Sequence, residues 1–311
     1  MTASEDRTGR TADRFRPAEL PPDQAETLTG TPVGFWRDAW RRLRRNRWAL
    51  VAGTLISLII LFALFGPLFT STTGYGQDLG NQYATPSGDS WFGTDKFGRS
   101  MWDRVWEGTR VSLFIAFLAA FIDLGIGMFY GAISGYYGGK VDNVMQRIVE
   151  IVIGIPNLVV LILVMLFLSP GILTITLALT ITGWTASARL IRGQVLRLKE
   201  EEFFLAARVL GARTWRLLSK HLIPNVLYLV IINLMLTVPS AIFFEAFLSF
   251  IGLGISPPDA SLGSLINSAA DTMQYYPYLL IIPAAVLSVL TIGFRVLGDG
   301  LRDALDPRLR R

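Results

Sequence analysis

The chain contains no cysteine, so it can hold no disulfide, thiolate nucleophile or thiolate metal site. It has one histidine, His221, which excludes a histidine-rich metal centre and leaves only that residue for a Ser-His-Asp triad. Charge is scarce as well: 17% of the 311 residues are charged, against about 25% in an ordinary soluble domain. Apolar sequence takes its place. It makes up 51% of the chain and is gathered into runs of roughly 17–23 residues, which a soluble core does not need and a bilayer does. A water-soluble enzyme is therefore excluded first. The short alternating segments of a membrane β-barrel are missing too.

Six apolar runs are present: Trp48–Phe69, Val111–Ile133, Ile151–Leu168, Ile172–Ala188, Val226–Phe244 and Tyr278–Phe294. At 1.5 Å per residue each comes close to crossing a core about 30 Å thick. The expected fold class is all-α, a polytopic membrane protein with six transmembrane helices. Residues 1–32 are polar and without period, and read as a disordered cytoplasmic tail. They do not read as a signal peptide, because the first apolar run starts at Trp48 with no small-residue cleavage site after it. Residues 33–47 carry six arginines among Trp36, Trp40 and Leu43, whose i, i+4, i+7 spacing suits an amphipathic helix on an anionic membrane surface.

The basic residues set the orientation. Arginines precede the first span, eight basic residues lie in the 189–224 loop, and further arginines follow Phe294. Residues 252–277 contain no Lys or Arg. Cytoplasmic loops collect Lys and Arg, so both termini and the 189–224 loop are expected in the cytoplasm. The expected organisation is then a first span over 48–69, an extracytoplasmic loop over 70–110, a five-helix core over 111–299 and a cytoplasmic tail over 300–311. The basic excess is thereby accounted for without nucleic acid.

The loop from Lys199 to Asn225 is the most informative stretch. Phe203, Ala206, Ala207 and Leu210 fall on one helical face, as do Trp215, Leu218 and Leu222. Gly211 between them can take the left-handed conformation that ends a helix. Glu200, Glu201 and Glu202 stand where a helix dipole favours negative charge. Pro224 suits the first turn of the next spanning helix. A short helix–turn–helix projecting into the cytoplasm would suit docking to a soluble partner. The plain alternative is an amphipathic connector lying on the membrane, and periodicity leaves both open.

The order Ala206-Ala207, three residues, Gly211 and then Pro224 resembles the cytoplasmic coupling loop of bacterial ABC importer permeases. This chain departs from that signature at Leu205, His221 and Ile223, while its Lys220–Asn225 segment looks like the peptide-importer branch. Three further stretches resemble that branch: Phe92–Arg99, Glu245–Gly254 and Leu297–Pro307. The resemblance implies the type I importer permease fold and the second-type permease subunit of an oligopeptide or dipeptide importer in the bacterial inner membrane. Its implied partners are a homologous permease, two ATPases that carry the ATP and Mg, an extracytoplasmic peptide-binding protein and the peptide cargo. No cofactor and no metal is expected on this chain. Glu201, Glu202, Ala206, Ala207, Gly211 and Pro224 are the implied ATPase-coupling residues. A phosphate-cradling loop would need a Gly-rich turn ending Gly-Lys-Ser/Thr; the only Gly-Lys pair, Gly139-Lys140, is followed by Val141.

Two acids fall inside the apolar runs. Asp123 sits mid-span, where a carboxylate costs roughly 2.5–3.5 kcal/mol on insertion scales and must face protein or water. Gly127, Gly131 and Gly135 follow it at four-residue steps, a ridge that admits a close helix neighbour. Asp123 either lines the translocation path or makes a buried polar contact. Glu245, near the end of the fifth span, either shapes an outer gate or hydrogen-bonds within the subunit. If either acid bound a coupling proton, an ion-driven transporter would be the competing reading, although no repeat relates the two halves. The long outer loop with Trp91, Trp102 and Trp106 could meet the binding protein or form a packed lid, the latter two tryptophans suiting an interfacial belt.

Overall fold

The computed structural model describes residues 34–70, 74–88 and 90–305; the tail expected over 1–32 lies outside them. Helix α1 covers Phe35–Leu43, α2 Arg47–Phe65 and α3 Met101–Tyr137. Then come α4 (Gly139–Gly154), α5 (Asn157–Phe167), α6 (Ile172–Leu198) and α7 (Glu202–Val209). A helical stretch from Thr214 to Leu222 runs into α8 (Ile223–Phe250), and α9 (Leu262–Ala270) and α10 (Tyr278–Leu305) complete the chain. Among the described residues the only β-pairing is one isolated bridge, Thr94 with Ser100.

The helices start where side chains replace missing backbone partners. Asn46 accepts the Ala49 N–H at 3.1 Å to open α2, and Ser100 accepts the Asp103 N–H at 3.4 Å to open α3. In α1, Trp36 and Trp40 are both exposed. Along α2 most large side chains, Leu50, Leu55, Leu58 and Leu61 among them, are exposed. An outward surface that apolar suits lipid.

Among the described residues four helices are long and apolar enough to cross a membrane: α2 with its extension to Phe69, α3, α8 and α10. The α4–α5 pair makes a fifth if its two halves form one span, bent by 78° at Ile155–Pro156, where the proline withholds a backbone donor. Helix α6, the fourth expected span, is long enough but more polar. Its Thr176, Thr180 and Thr185 are buried and donate to carbonyls of their own helix at Ile172, Leu177 and Thr182. Two boundaries differ from expectation. Helix α3 begins at Met101 rather than 111, inside the expected loop, and α10 runs on through Leu305, where a tail was expected from 300. Buried Ala304 and Leu305 hold that last turn.

The core is organised on α3 against α6. A Cβ added to Gly127 would lie 2.8 Å from the Ala188 nitrogen, one on Gly131 3.0 Å from the Arg192 nitrogen, and one on Gly135 3.0 Å from the Arg192 carbonyl. The four-residue glycine ridge is therefore the seam along which the two backbones meet. Helix α2 packs on α10 in the same manner, Gly300 lying over Ala49 and Gly293 over Ile56.

Candidate functional site: the Gly211 turn and its supports

Helix α7 opens with Glu201 in extended conformation as its cap and Glu202 in its first turn, where the helix dipole favours a carboxylate. It closes in a Schellman motif. Gly211 has φ +79°, its N–H donates to the Arg208 carbonyl at 3.0 Å, and the Ala212 N–H reaches back to the Ala207 carbonyl at 3.1 Å. Nothing crowds the position a Gly211 side chain would occupy, so this glycine is required for its backbone conformation alone.

One face of α7 is anchored. Phe204 is buried among Ala132 of α3, Val195 and Leu198 of α6, and Leu217, Leu222 and Val226 on the way into α8, with Ala207 packed beside it. Of the four residues that share a face in the sequence, Phe203, Ala206 and Leu210 are exposed and Ala207 is half-buried, and it is Phe204 that points in. Both faces of this eight-residue helix are apolar, so periodicity could not choose between them. In the second limb, Trp215 is exposed, while Leu217 and Leu222 are buried. Those two residues are five apart, and the chain between them is π-helical, which brings such residues onto one side. The widened turn lies directly before Pro224, which has no N–H to return to the preceding turn.

The anchoring leaves an exposed apolar tip. Val209 and Leu210 are each 86% exposed and Trp215 69% exposed, on either side of the Gly211 turn. Polar contacts tie the base of this element to α3. The Tyr136 hydroxyl donates to Thr214 Oγ1 at 3.1 Å. Lys199 Nζ donates to the Gly135 and Tyr136 carbonyls at 3.1 and 2.7 Å, capping the C-terminus of α3. Farther back along α6, Arg192 grips Asp142 of α4 through Nε at 2.6 Å and Nη2 at 2.5 Å. The same carboxylate accepts Ser134 Oγ of α3 at 2.5 Å. This clasp joins three helices and was not anticipated, because its members lie up to 58 positions apart and no local spacing announces them.

Asp123 is buried at the α3–α6 seam, its carboxylate against Gly183, and its Oδ1 has no hydrogen-bond partner. Glu245 is fully buried. Its Oε2 accepts Ser112 Oγ of α3 at 2.7 Å and its Oε1 accepts Ser249 Oγ at 2.8 Å. Ser112 Oγ in turn accepts the Leu262 N–H at 3.3 Å, so Glu245 joins α3, α8 and the start of α9. Near α7, a cleft of about 350 Å³ between α6, α8 and α10 is lined by Gln194, Arg197, Tyr228, Asn233 and Arg302.

At the other end of α3 the long loop is packed down as a lid. Asp95 accepts the Phe97 and Arg99 N–H groups at 2.9 and 3.0 Å and the Arg99 guanidinium at 2.7 Å. Trp102 and Trp106, expected in an interfacial belt, are buried instead: Trp106 stacks on Phe62 of α2, and Trp102 meets Phe62 and the lid's Phe92 edge-on. Trp102 Nε1 donates to the Gly66 carbonyl at 2.8 Å, which satisfies the buried indole. Tyr83 stacks on Tyr276 at 4.4 Å, fastening the lid to the segment before α10.

Residues 127–311 match the family described as the binding-protein-dependent transport system inner membrane component, and residues 34–86 match the N-terminal transmembrane domain of oligopeptide transport permease C. The chain belongs to this permease family. Among its relatives, the Bacillus subtilis oligopeptide transport system permease protein OppC is 46% identical over 96% of this chain and 97% of its own length. The dipeptide transport system permease protein DppC of the same organism is 44% identical over 93% and 90%. In fold, the permease is similar to a chain of the inward-facing MetNI methionine ABC transporter, with TM-score 0.52, 20% identity and coverage of 65% of this chain and 94% of that one. Membership makes this permease a transport subunit of the bacterial inner membrane rather than an enzyme, with ATPase activity on a separate subunit. It also implies a second permease and a substrate-binding protein as partners.

Proposed function

We propose that this permease forms half of the translocation path of an ATP-driven peptide importer and takes its motion from an ATPase that grips α7. The observation that carries the coupling role is the exposed apolar tip of Val209, Leu210 and Trp215, held out on a buried Phe204 anchor. Apolar tips rimmed by charge mark protein contacts, and the charged rim here is Glu201, Glu202, Arg208 and Arg213. The peptide cargo is supported by the relatives, which are oligopeptide and dipeptide permeases. Two ATPases, carrying ATP and Mg, would engage the two permeases from the cytoplasm, and an extracytoplasmic binding protein would deliver the peptide. Both termini and α7 are then cytoplasmic, as the arginine distribution requires.

Motion imposed on the tip has a short route into the spans. Phe204 and Thr214 bear on the C-terminal end of α3, and Leu217 and Leu222 continue into α8. The Asp142 clasp keeps α3, α4 and α6 moving together, because a bidentate guanidinium–carboxylate pair resists sliding. The cleft beside Arg197 and Arg302 is the polar surface this chain offers a peptide on that side. Asp123 and Glu245 lie in packed interfaces, which supports their packing roles and disfavours proton coupling through them.

The test is reconstitution. The permease purified with its partner permease, ATPases and binding protein should accumulate peptide in proteoliposomes only when ATP is supplied to the α7 side. Leu210→Glu with Trp215→Glu should release the ATPases while both permeases stay inserted. Accumulation by the permeases alone, driven by a proton gradient, would overturn the reading.

A further inference from the structure

A cavity of about 590 Å³ lies at the N-terminal end of α3, between the lid and the segment 249–271. Small-molecule sites occupy roughly 300–1,000 Å³, so this space is ample for a short peptide. Tyr136, which touches the coupling turn, is 32 residues along α3 from Arg104 in the cavity wall. At 1.5 Å per residue the two are separated by about 48 Å, so the cavity lies at the opposite face of the bundle.

The charges in its wall are sorted by segment. The cations Lys96, Arg99 and Arg104 all come from the lid and the start of α3, and the acids Asp259 and Asp271 both come from the facing segment. A cavity with cations on one wall and acids on the other matches a ligand carrying both signs. The cationic wall is built rather than incidental. Arg104 is 5% exposed and still has donors to spare: its Nε makes no hydrogen bond, and its Nη1 makes one, at 3.3 Å, to the Gly74 carbonyl. Its ion-pair partner Asp95 is 3.7 Å away and is shared with Arg99, which takes the closer contact at 2.7 Å. A buried guanidinium with an unused donor gains much from an incoming carboxylate.

We infer that this cavity receives a short zwitterionic peptide, its carboxylate against Arg104 and Lys96 and its ammonium against Asp271. The inference rests on the peptide-importer reading and adds a holding site on this subunit where cargo arrives from outside. Arg99 positions Asp95 and through it Arg104. Lys96 and Asp271 are exposed and in no ion pair with each other, so they can be changed without undoing the lid.

The assembled permease–ATPase complex in nanodiscs, without binding protein, tests this with tri-alanine and its C-terminal amide as probes, titrated by saturation-transfer NMR. Tri-alanine should bind, and the amide should bind at least fivefold more weakly. Lys96→Ala and Asp271→Asn should each weaken tri-alanine at least fivefold, and Lys96→Ala should erase most of the difference between acid and amide. Both variants should melt with the wild type. Equal binding of tri-alanine to wild type and both variants, or none to the wild type, would overturn the site. So would variants that bind tri-alanine normally but lose affinity for the binding protein, which would make the cavity a docking face. Failure of the fully reconstituted wild type to import peptide would instead overturn the peptide-importer reading.

Discussion

The Tyr136 hydroxyl, on the last turn of α3, donates a 3.1 Å hydrogen bond to Thr214 Oγ1, just beyond the Gly211 turn. Together with the Phe204 anchor it binds a core helix to the helix–turn–helix around Gly211. Tyr136→Phe keeps the ring, which meets Phe204 edge-on at 6.5 Å, and deletes only the bond. A neutral hydrogen bond contributes about 0.5–1.5 kcal/mol net, so coupling should loosen without loss of assembly. Peptide uptake per ATP hydrolysed should fall about two- to tenfold in proteoliposomes. Unchanged stoichiometry would remove Tyr136 from the transmission route.

Gly211 tests the turn by conformation alone. A non-glycine residue at φ +79° costs about 1–2 kcal/mol, with Asn the mildest replacement. Proline fixes φ near −65° and removes the N–H that reaches Arg208. Co-purified ATPase and uptake should therefore decline in the order Gly, Asn, Ala, Pro, with Gly211→Pro inserted in the membrane but inactive. Normal transport by the proline variant would refute the docking role.

Glu245 separates a structural hub from a gate. Glu245→Gln keeps one acceptor and can still be met by the reorientable Ser112 and Ser249 hydroxyls. It should melt within a few degrees of the wild type and transport normally. Glu245→Ala strands buried hydroxyls at about 1–3 kcal/mol each and should lower the melting temperature of the purified complex. A Gln variant that is stable but does not transport would restore the gate.

Asp123→Asn should change uptake less than twofold, because the side chain lies against Gly183 at the α3–α6 seam. Gly183→Ala should be harmful, since its Cβ would fall on that carboxylate. Gly131→Leu should be worse and prevent accumulation of folded permease, measured as detergent-soluble monodisperse protein. A selective loss of uptake in Asp123→Asn with normal assembly would return Asp123 to the path.

What was legible in the sequence follows from what is local. The α3 ridge could be read because Gly127, Gly131 and Gly135 repeat at helical spacing, and Gly211 because only a special backbone angle calls for it there. The inward face of α7 could not be read from the sequence, because Phe203 and Phe204 are adjacent and a partner's share of apolar surface looks like the core's. Trp102 and Trp106 were assigned to the interface for the same reason: an aromatic pair beside a span has one composition whether it faces headgroups or, as here, Phe62. The Asp142–Arg192 clasp, the lid on Tyr276 and the Ser112–Glu245 bond join distant segments and could be seen only once the chain was folded.

The bare hydrophobic tip at Val209, Leu210 and Trp215 has a cost for the cell. A permease made in excess of its ATPase would leave that tip uncovered, and surfaces of this kind invite clumping and proteolysis. Balanced synthesis of the subunits is thus a demand written into the stretch of one loop from Val209 to Trp215, and unmatched copies should be the short-lived ones.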